Sequence, residues 1–318
     1  MPSYCIAFWN VENLFDVDGS PARPAWLQQR LAPELRGWDE AVLTRKVSQL
    51  ARIIGQLNGG QGPDVLGMCE VENIPVLERL RAALPQRDYQ VAHADTADER
   101  GIDVAFLFDG QMFKKREQFN HVILKRNATR DLFQVTLATR QDRELILIGN
   151  HWPSRLGGPY ETEPYRILAG ETLAYWHERI VEIKGSGAAV LAMGDFNDEP
   201  HSRALTDYAL STYQREKVVN AKTPRFYNLM WPLLGRHLGT HYEDNFAAIL
   251  DQFLVGRGLI RADAPLRVDE DSVRIEAFPE MINRGDYPSP RRFGRPSSAL
   301  DRDGFADHFP ITVTLHER

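Results

Sequence analysis

Short apolar runs rich in β-branched and aromatic residues recur from one end of the chain to the other, and several follow one another with no helical stretch between them. Runs of this kind hide their side chains only inside sheets. Where they follow directly, the connections are too short for a parallel crossover, so part of the sheet is antiparallel. The spacing predicts strands over 4–9, 64–69, 89–94, 103–108, 121–125, 133–138, 144–150, 189–193, 249–255, 273–277 and 310–315. Helical periodicity intervenes at three places. Residues 40–57 put Leu43, Val47, Leu50, Ile54 and Leu57 on one face. Pro75 opens a second helix carrying Val76, Leu77, Leu80 and Leu84, in keeping with proline's place in a first turn. Residues 163–183 align Ile167, Leu168, Leu173, Trp176, Ile180 and Ile183. The mixture predicts packed sheets with helices outside, rather than a doubly wound parallel fold.

Three proline- or glycine-rich stretches, 17–38, 153–163 and 283–304, read as loops on this scaffold. No repeat and no break in composition divides the chain, so residues 1–318 are expected to form one domain. A net charge of −6 argues against a surface that grips nucleic acid everywhere, though not against a local basic groove. Cys5 and Cys69 lie in apolar runs without a CxxC pair, which excludes a readable structural zinc site and suggests buried free thiols. That usage, with no basic leader in MPSYCIAFWN and no apolar run of ~20 residues, predicts a cytoplasmic protein without a membrane-spanning segment.

The informative pattern is where polar residues fall. Asn10 follows IAFW, Glu70 follows VLGMC, and Asn150 with His151 follows LILIG. Asp195 and Asn197 follow AVLAMG, Asp251 interrupts AAILDQFLV, and Asp307 with His308 precedes FPITV. Any one of these could be a turn or edge residue. Together they suggest one rim collecting carboxylates, amides and imidazoles. Glu70, Asp195 and Asp307 offer hard oxygen donors, suited to Mg²⁺ or Mn²⁺ rather than zinc. Asn10 and Asn197 can approach a phosphate without repelling it, and His151 and His308 can donate to it or move a proton. With no serine or cysteine nucleophile motif, this set points to hydrolysis of a phosphate ester by activated water. Asp251, flanked by apolar residues, needs a buried partner, and His308 is the expected one.

NVENLF, EVEN, GNHWPSR, GDFNDEP, LDQFLV and DHFP, in that order, resemble the endonuclease/exonuclease/phosphatase superfamily, which includes DNase I-like nucleases, inositol polyphosphate 5-phosphatases and sphingomyelinases. The resemblance runs from residue 4 to 315 and implies a four-layer αββα sandwich, two packed mixed β-sheets flanked by helices, with the site at one end. It implies Glu70 as principal metal ligand, with Asn10 and Asp307 beside the metal and Glu12 as a further acidic residue there. His151 would contact the scissile phosphate, Asn10, Asn150 and Arg155 would bind substrate, and Asn197 would steady the transition state. Asp251 would orient His308, and either Asp195 or His308 would be the base. Asp251-Gln252 and Asn150-His151 depart from commoner forms, and NHWPSR with Arg155 resembles a bacterial branch.

Within such a family the expected activity is phosphodiester hydrolysis of DNA or RNA, with an inositol or phospholipid phosphatase, or a sphingomyelinase-like enzyme, as the alternative. The nuclease reading leans on residues 284–302, where Arg284, Arg291, Arg292, Arg295 and Arg302 face Asp286 and Asp301. GNH precedes GD here and neither D-x-H nor G-H-x-H occurs, which disfavours a calcineurin-like phosphoesterase. A non-catalytic binding member is disfavoured because every expected polar position is filled. His93, His121, His177, His201, His237, His241 and His316 fit no ligand spacing and are expected to serve packing or surface roles.

Overall fold

The computed structural model describes residues 1–125, 129–243 and 245–318. Its strands are β1 (Ser3–Leu14), β2 (Val65–Val71), β3 (Tyr89–His93), β4 (Asp103–Asp109), β5 (Phe113–His121), β6 (Leu132–Thr139), β7 (Glu144–His151), β8 (Val190–Asp195), β9 (Ser211–Thr212), β10 (Phe226–Asn228), β11 (His241–Glu243), β12 (Phe246–Ala248), β13 (Asp251–Val255), β14 (Leu266–Ile275), β15 (Gly294–Arg295), β16 (Ala299–Leu300) and β17 (Ile311–Glu317). One sheet runs β14-β17-β1-β2-β4-β3 and the other β5-β6-β7-β8-β13-β10-β9. Both are mixed: β1 and β2 pair in parallel, as do β7 and β8, and most other neighbours are antiparallel.

Ile6, Phe8, Phe106, Phe133, Leu147, Met193 and Phe253 fill the space between the sheets. The outer face of the first sheet is covered by helices α2 (Glu40–Gly60) and α3 (Ile74–Ala82), after α1 (Ala25–Leu35). The outer face of the second is covered by α4 (Pro159–Lys184). This is the expected four-layer sandwich.

Local physics sets the helix ends. Asp39 accepts from the Val42 N–H and Asn73 from the Val76 N–H, each satisfying an orphan donor of a first turn. The α2 segment leaves helical geometry at Leu57, where the sequence placed its end. Pro159 sits in the first turn of α4, which therefore starts before residue 163.

Several expectations require correction. The stretch 17–38 contains α1, despite Pro33, because Leu27, Leu31 and Leu35 pack with Phe15, Trp38, Ile102 and Phe293. Residues 122–125 lie outside the strands; the strand is the charged segment Phe113–His121. It forms a sheet edge, where exposed charge discourages pairing with another chain. β14 begins earlier than residue 273, with a register irregularity between Asp269 and Arg274. The buried face of α4 is Arg166, Ala169, Gly170, Leu173, His177 and Ile180, while Leu168 and Ile183 are exposed. Gly170 is needed there: a Cβ would stand 2.4 Å from the Ala204 carbonyl oxygen.

Candidate active site

Register builds the site. In the second sheet, His151 on β7 and Asp251 on β13 both pair with Asp195 on the intervening β8, so three functional side chains stand in one row. In the first sheet, Asn10 on β1 pairs with Cys69 on β2, one residue before Glu70. The chain approaches β17 antiparallel to β1, bringing Asp307 and His308 to the same end. Gly194 permits the close β7–β8 approach, since a Cβ there would lie 2.2 Å from the Asn150 carbonyl oxygen.

Asp195 is the hub. Its Oδ1 accepts from the Asn197 backbone N–H at 2.8 Å. Its Oδ2 accepts from Asn10 Nδ2 at 3.1 Å, across the two sheets, with Asn197 Nδ2 at 3.4 Å. His151 Nε2 and His308 Nε2 each stand 3.9 Å from that oxygen, too far for hydrogen bonds. His308 Nδ1 donates to Asp251 Oδ2 at 2.6 Å, and Asp251 is fully buried. Glu70 Oε2 accepts from the Asn13 N–H at 2.8 Å, and Oε1 faces His151 Nε2 at 3.7 Å. Glu12, Asn13, Glu70 and Asn197 all have positive φ, near +50° to +65°. Such conformations cost about 1–3 kcal/mol each and persist where surrounding structure holds them.

The electrostatics divide the titratable groups. Burial raises the Glu70 and Asp195 acids, opposed in part by Arg100 for Glu70 and by His308 for Asp195. Burial pushes His151 well below its ordinary value, and Arg130 and Arg100 push it the same way, so the ring is neutral. Burial opposes protonation of His308 too, but Asp251 and Asp195 overcome it and hold its pKa well above the ordinary range. Burial alone would raise the Asp307 acid; His308, His241, Arg292 and Lys46 together bring it below the usual range.

The donor set fits a hard divalent cation. Glu70 Oε1 has no hydrogen-bond donor among the described residues, and its half-buried carboxylate lies at a rim shared with the buried Asp195 and the partly exposed Asp307. Among the described residues Asn10 Oδ1 accepts only the Glu12 N–H, at 3.1 Å, leaving a lone pair. Cys69 lies beside His151 and Asp195, but burial holds its thiol protonated, which suits neither metal ligation nor attack.

Not every residue singled out in the sequence faces this space. Asn150 is turned inward: its Nδ2 donates to the Ile148 and Met193 carbonyls and its Oδ1 accepts from Trp152 Nε1. It braces the strand end instead of meeting substrate. Arg155 donates to the Asn197 carbonyl and lies 3.3 Å from Asp198, so it steadies the loop that carries Asn197. Glu12 is occupied by Arg292 and by the Phe293 and Gly294 N–H groups, leaving it unsuited to a metal. Three of the five loop arginines are likewise paired: Arg291 with Asp301, Arg292 with Glu12, and Arg295 with Glu34.

The structure adds residues that spacing did not reveal. The His241 ring lies 4.4 Å from the His308 ring, with Nδ1 3.0 Å from the Asp307 carbonyl. Lys46 is fully buried, donates to the Phe305 carbonyl, and is pulled down to about 8 by burial. Arg130 donates to the Trp152 carbonyl, and Arg166 joins Asp198 at 2.8 Å. Only their periodicity-breaking charge on otherwise apolar faces, at Lys46 and Arg166, was a sequence signal.

Residues 5–317 match the model of the endonuclease/exonuclease/phosphatase family. A humanized zebrafish (D. rerio) TDP2 superposes with a TM-score of 0.61 at 14% identity, covering 99% of each chain. A mannosyl-6-phosphatase from Bacteroides thetaiotaomicron gives 0.59 at 15% identity, covering 98% of this chain and 99% of the other. The human Nocturnin catalytic domain gives 0.56 at 16% identity, covering 100% and 94%. No curated protein matches the sequence significantly.

Proposed function

The chain belongs to the endonuclease/exonuclease/phosphatase family, and from that premise we propose that it is a divalent-metal-dependent phosphoesterase hydrolysing phosphate esters by activated water. The observation that carries this reading is the convergence of Asn10, Asn197, His151 and His308 on one oxygen of Asp195. Mg²⁺ or Mn²⁺ held by Glu70, with Asn10 and Asp307 beside it, would supply Lewis-acid polarisation of the phosphoryl group. Asp195 is the better base of the two candidates. Its acid is raised by burial, whereas His308, held protonated by Asp251, has no lone pair to accept with. His308 and Asn197 then donate to charge that grows in the transition state. Neutral His151 donates from Nε2 to a phosphoryl oxygen without adding a cation to the site. Arg155 acts through the loop, fixing Asn197.

The substrate reading favours a compact phosphate ester over a long polynucleotide. The carrying observation is that Arg291, Arg292 and Arg295 are already spent on carboxylates of the protein itself. A nucleic-acid phosphodiester is the second reading, favoured by Arg292, whose side chain is 61% exposed despite its pairing with Glu12. The test is a panel with Mg²⁺, Mn²⁺ or EDTA: single- and double-stranded DNA, RNA, inositol phosphates, sugar phosphates, sphingomyelin and a small activated diester. Metal-dependent turnover that Asp195→Asn abolishes is expected; turnover unaffected by EDTA and by Asp195→Asn overturns the reading. For polynucleotides, each phosphate contact adds about 0.7–0.9 to the salt slope. A slope near five such contacts would favour the nuclease reading.

A further inference from the structure

A second group of metal-ligating side chains stands apart from Glu70 and Asp195. His93 ends β3, Asp103 begins β4, and Asp95 lies in the loop between them. One donor atom from each falls within 4.8 Å of the other two. His93 Nδ1 is 4.0 Å from Asp95 Oδ1, and Nε2 is 4.0 Å from Asp103 Oδ2. Both gaps are too long for hydrogen bonds. The His93 side chain is 1% exposed, yet its Nε2 has no hydrogen-bond partner among the described residues. Asp103 is 3% exposed, and its other oxygen accepts from Thr96 Oγ1. A buried ring nitrogen aimed at a buried carboxylate, with neither hydrogen-bonded to the other, is a costly arrangement unless something lies between. Asp95, 84% exposed, completes the group on its solvent side, and Asp95, Thr96 and Asp103 also line a cavity of about 300 Å³.

We propose that His93, Asp95 and Asp103 form a second metal site, for a borderline divalent cation such as Zn²⁺, separate from the candidate active site. One imidazole nitrogen, the unpartnered Nε2, and two carboxylate oxygens are ordinary zinc donors, with bonds of ~2.0–2.2 Å and a fourth position left for water. Tetrahedral donors ~2.1 Å from an ion stand ~3.4 Å apart, so binding would draw both carboxylates inwards, the exposed Asp95 from within 4.8 Å and Asp103 from 4.0 Å. The ion would pin the loop running from residue 94 to 102. That loop holds Arg100, which donates to Asn13 Oδ1 at 2.7 Å, and Asp98, which lies 3.4 Å from Arg130. Both arginines bear on Glu70 and His151. The second site therefore orders the cations that set the charge of the first.

The test uses the full chain in a Glu70→Gln background, which weakens the active-site ion and leaves the new site in place. Metal-free protein is titrated with Zn²⁺ by calorimetry and with Co²⁺ by visible absorption. One equivalent of Zn²⁺ should bind, Co²⁺ should give the bands of a nitrogen- and oxygen-ligated ion, and trypsin cleavage at Arg100 should slow. Adding Asp95→Asn should weaken binding by at least about tenfold and remove the protection. His93→Gln should do the same; because His93 is buried and its variant could misfold, the exposed Asp95 provides the decisive variant. If the Glu70→Gln protein binds no Zn²⁺, or binds it equally well with Asp95→Asn, the proposal is wrong and the gap holds water.

Discussion

Replacing Glu12 by Gln should loosen the wall of the site without touching the groups assigned to chemistry. The Glu12 side chain is 2% exposed. Its Oε1 takes both Nε and Nη2 of Arg292 at 2.8 Å, and its Oε2 takes the N–H groups of Phe293 and Gly294 at 2.9 and 3.3 Å. Glutamine keeps the shape but turns an NH₂ towards one pair of donors, so one side of the latch becomes donor against donor. If the NH₂ faces Arg292, the loss is small, because that guanidinium is mostly in water. The amide will therefore orient that way, and the remaining oxygen keeps Phe293 and Gly294 as a neutral acceptor. Charged hydrogen bonds contribute about 1.5–3 kcal/mol and neutral ones about 0.5–1.5. The weakening of two backbone bonds and the loss of Arg292 amount to about 2–4 kcal/mol. With an unfolding entropy of ~2.1 cal/mol/K per residue over 318 residues, 1 kcal/mol is worth about 1.5 °C, so Tm should fall by about 3–6 °C. Calorimetry measures it, and proteolysis between residues 294 and 303 should accelerate in step. Arg292→Ala should cost less, about 1 kcal/mol. A Glu12→Gln protein melting within 1 °C of the parent, by the scale of that same entropy, would refute the latch.

Other expectations concern the site itself. Glu70→Gln should weaken Mn²⁺ binding measured by calorimetry and reduce turnover with little change in Tm; unchanged Mn²⁺ affinity counts against Glu70 as the ligand. Asn197→Ala should lower kcat more than it raises KM, and a pure KM effect would move Asn197 to ground-state binding. Asp251→Asn should lower the His308 pKa read by NMR and cut kcat by ~10²–10⁴. Because the native His308 pKa is raised, the stability it contributes is full below its unfolded value of ~6.5 and is lost as pH rises through the folded value. The Tm gap between parent and Asp251→Asn should thus be widest in acid and narrow in alkali. His177 behaves oppositely: burial lowers it to about 3, so its neutral form favours folding above ~6.5 and that benefit is lost as pH falls towards 3. His177→Phe should flatten the acid limb of the stability curve, and an unchanged limb would exclude His177 as its source.

Much of the scaffold was legible because burial writes itself into periodicity. The runs at 64–69, 103–108, 133–138 and 144–150 are buried on both faces, and each became a strand of the sandwich. The failures share a cause: tertiary context overrode local pattern. FKKREQFNH carries the charge of a loop but edges a sheet, so its exposed side costs nothing. In α4 the apolar residues Leu168 and Ile183 face out, while Arg166 and His177 face in, because Asp198 and Phe226 give the polar groups partners. Hydrophobic periodicity cannot register a buried charge whose counter-charge lies on another element.

The same reasoning explains which site residues could be read. A polar residue ending an apolar strand is visible as a contrast along the chain, and that contrast marked Asn10, Glu70, His151, Asp195 and Asp307. What it cannot convey is direction. Asn150 and His151 are neighbours on β7, and side chains on a strand alternate between faces, so one of the two has to point away from Asp195. The period of two is enough by itself to exclude a shared role for the pair. His241 escaped for the opposite reason: β11 is three residues long, too short for its alternation to show, and the ring reaches Asp307 and His308 only because His241 and His308 form an isolated bridge between otherwise separate segments. Lys46 escaped because one charge inside α2 looks like a break in the apolar face. Its ammonium sits where Glu12, Asp307 and Glu70 concentrate negative charge, so a single cation from the helical layer offsets the repulsion that gathering those carboxylates creates.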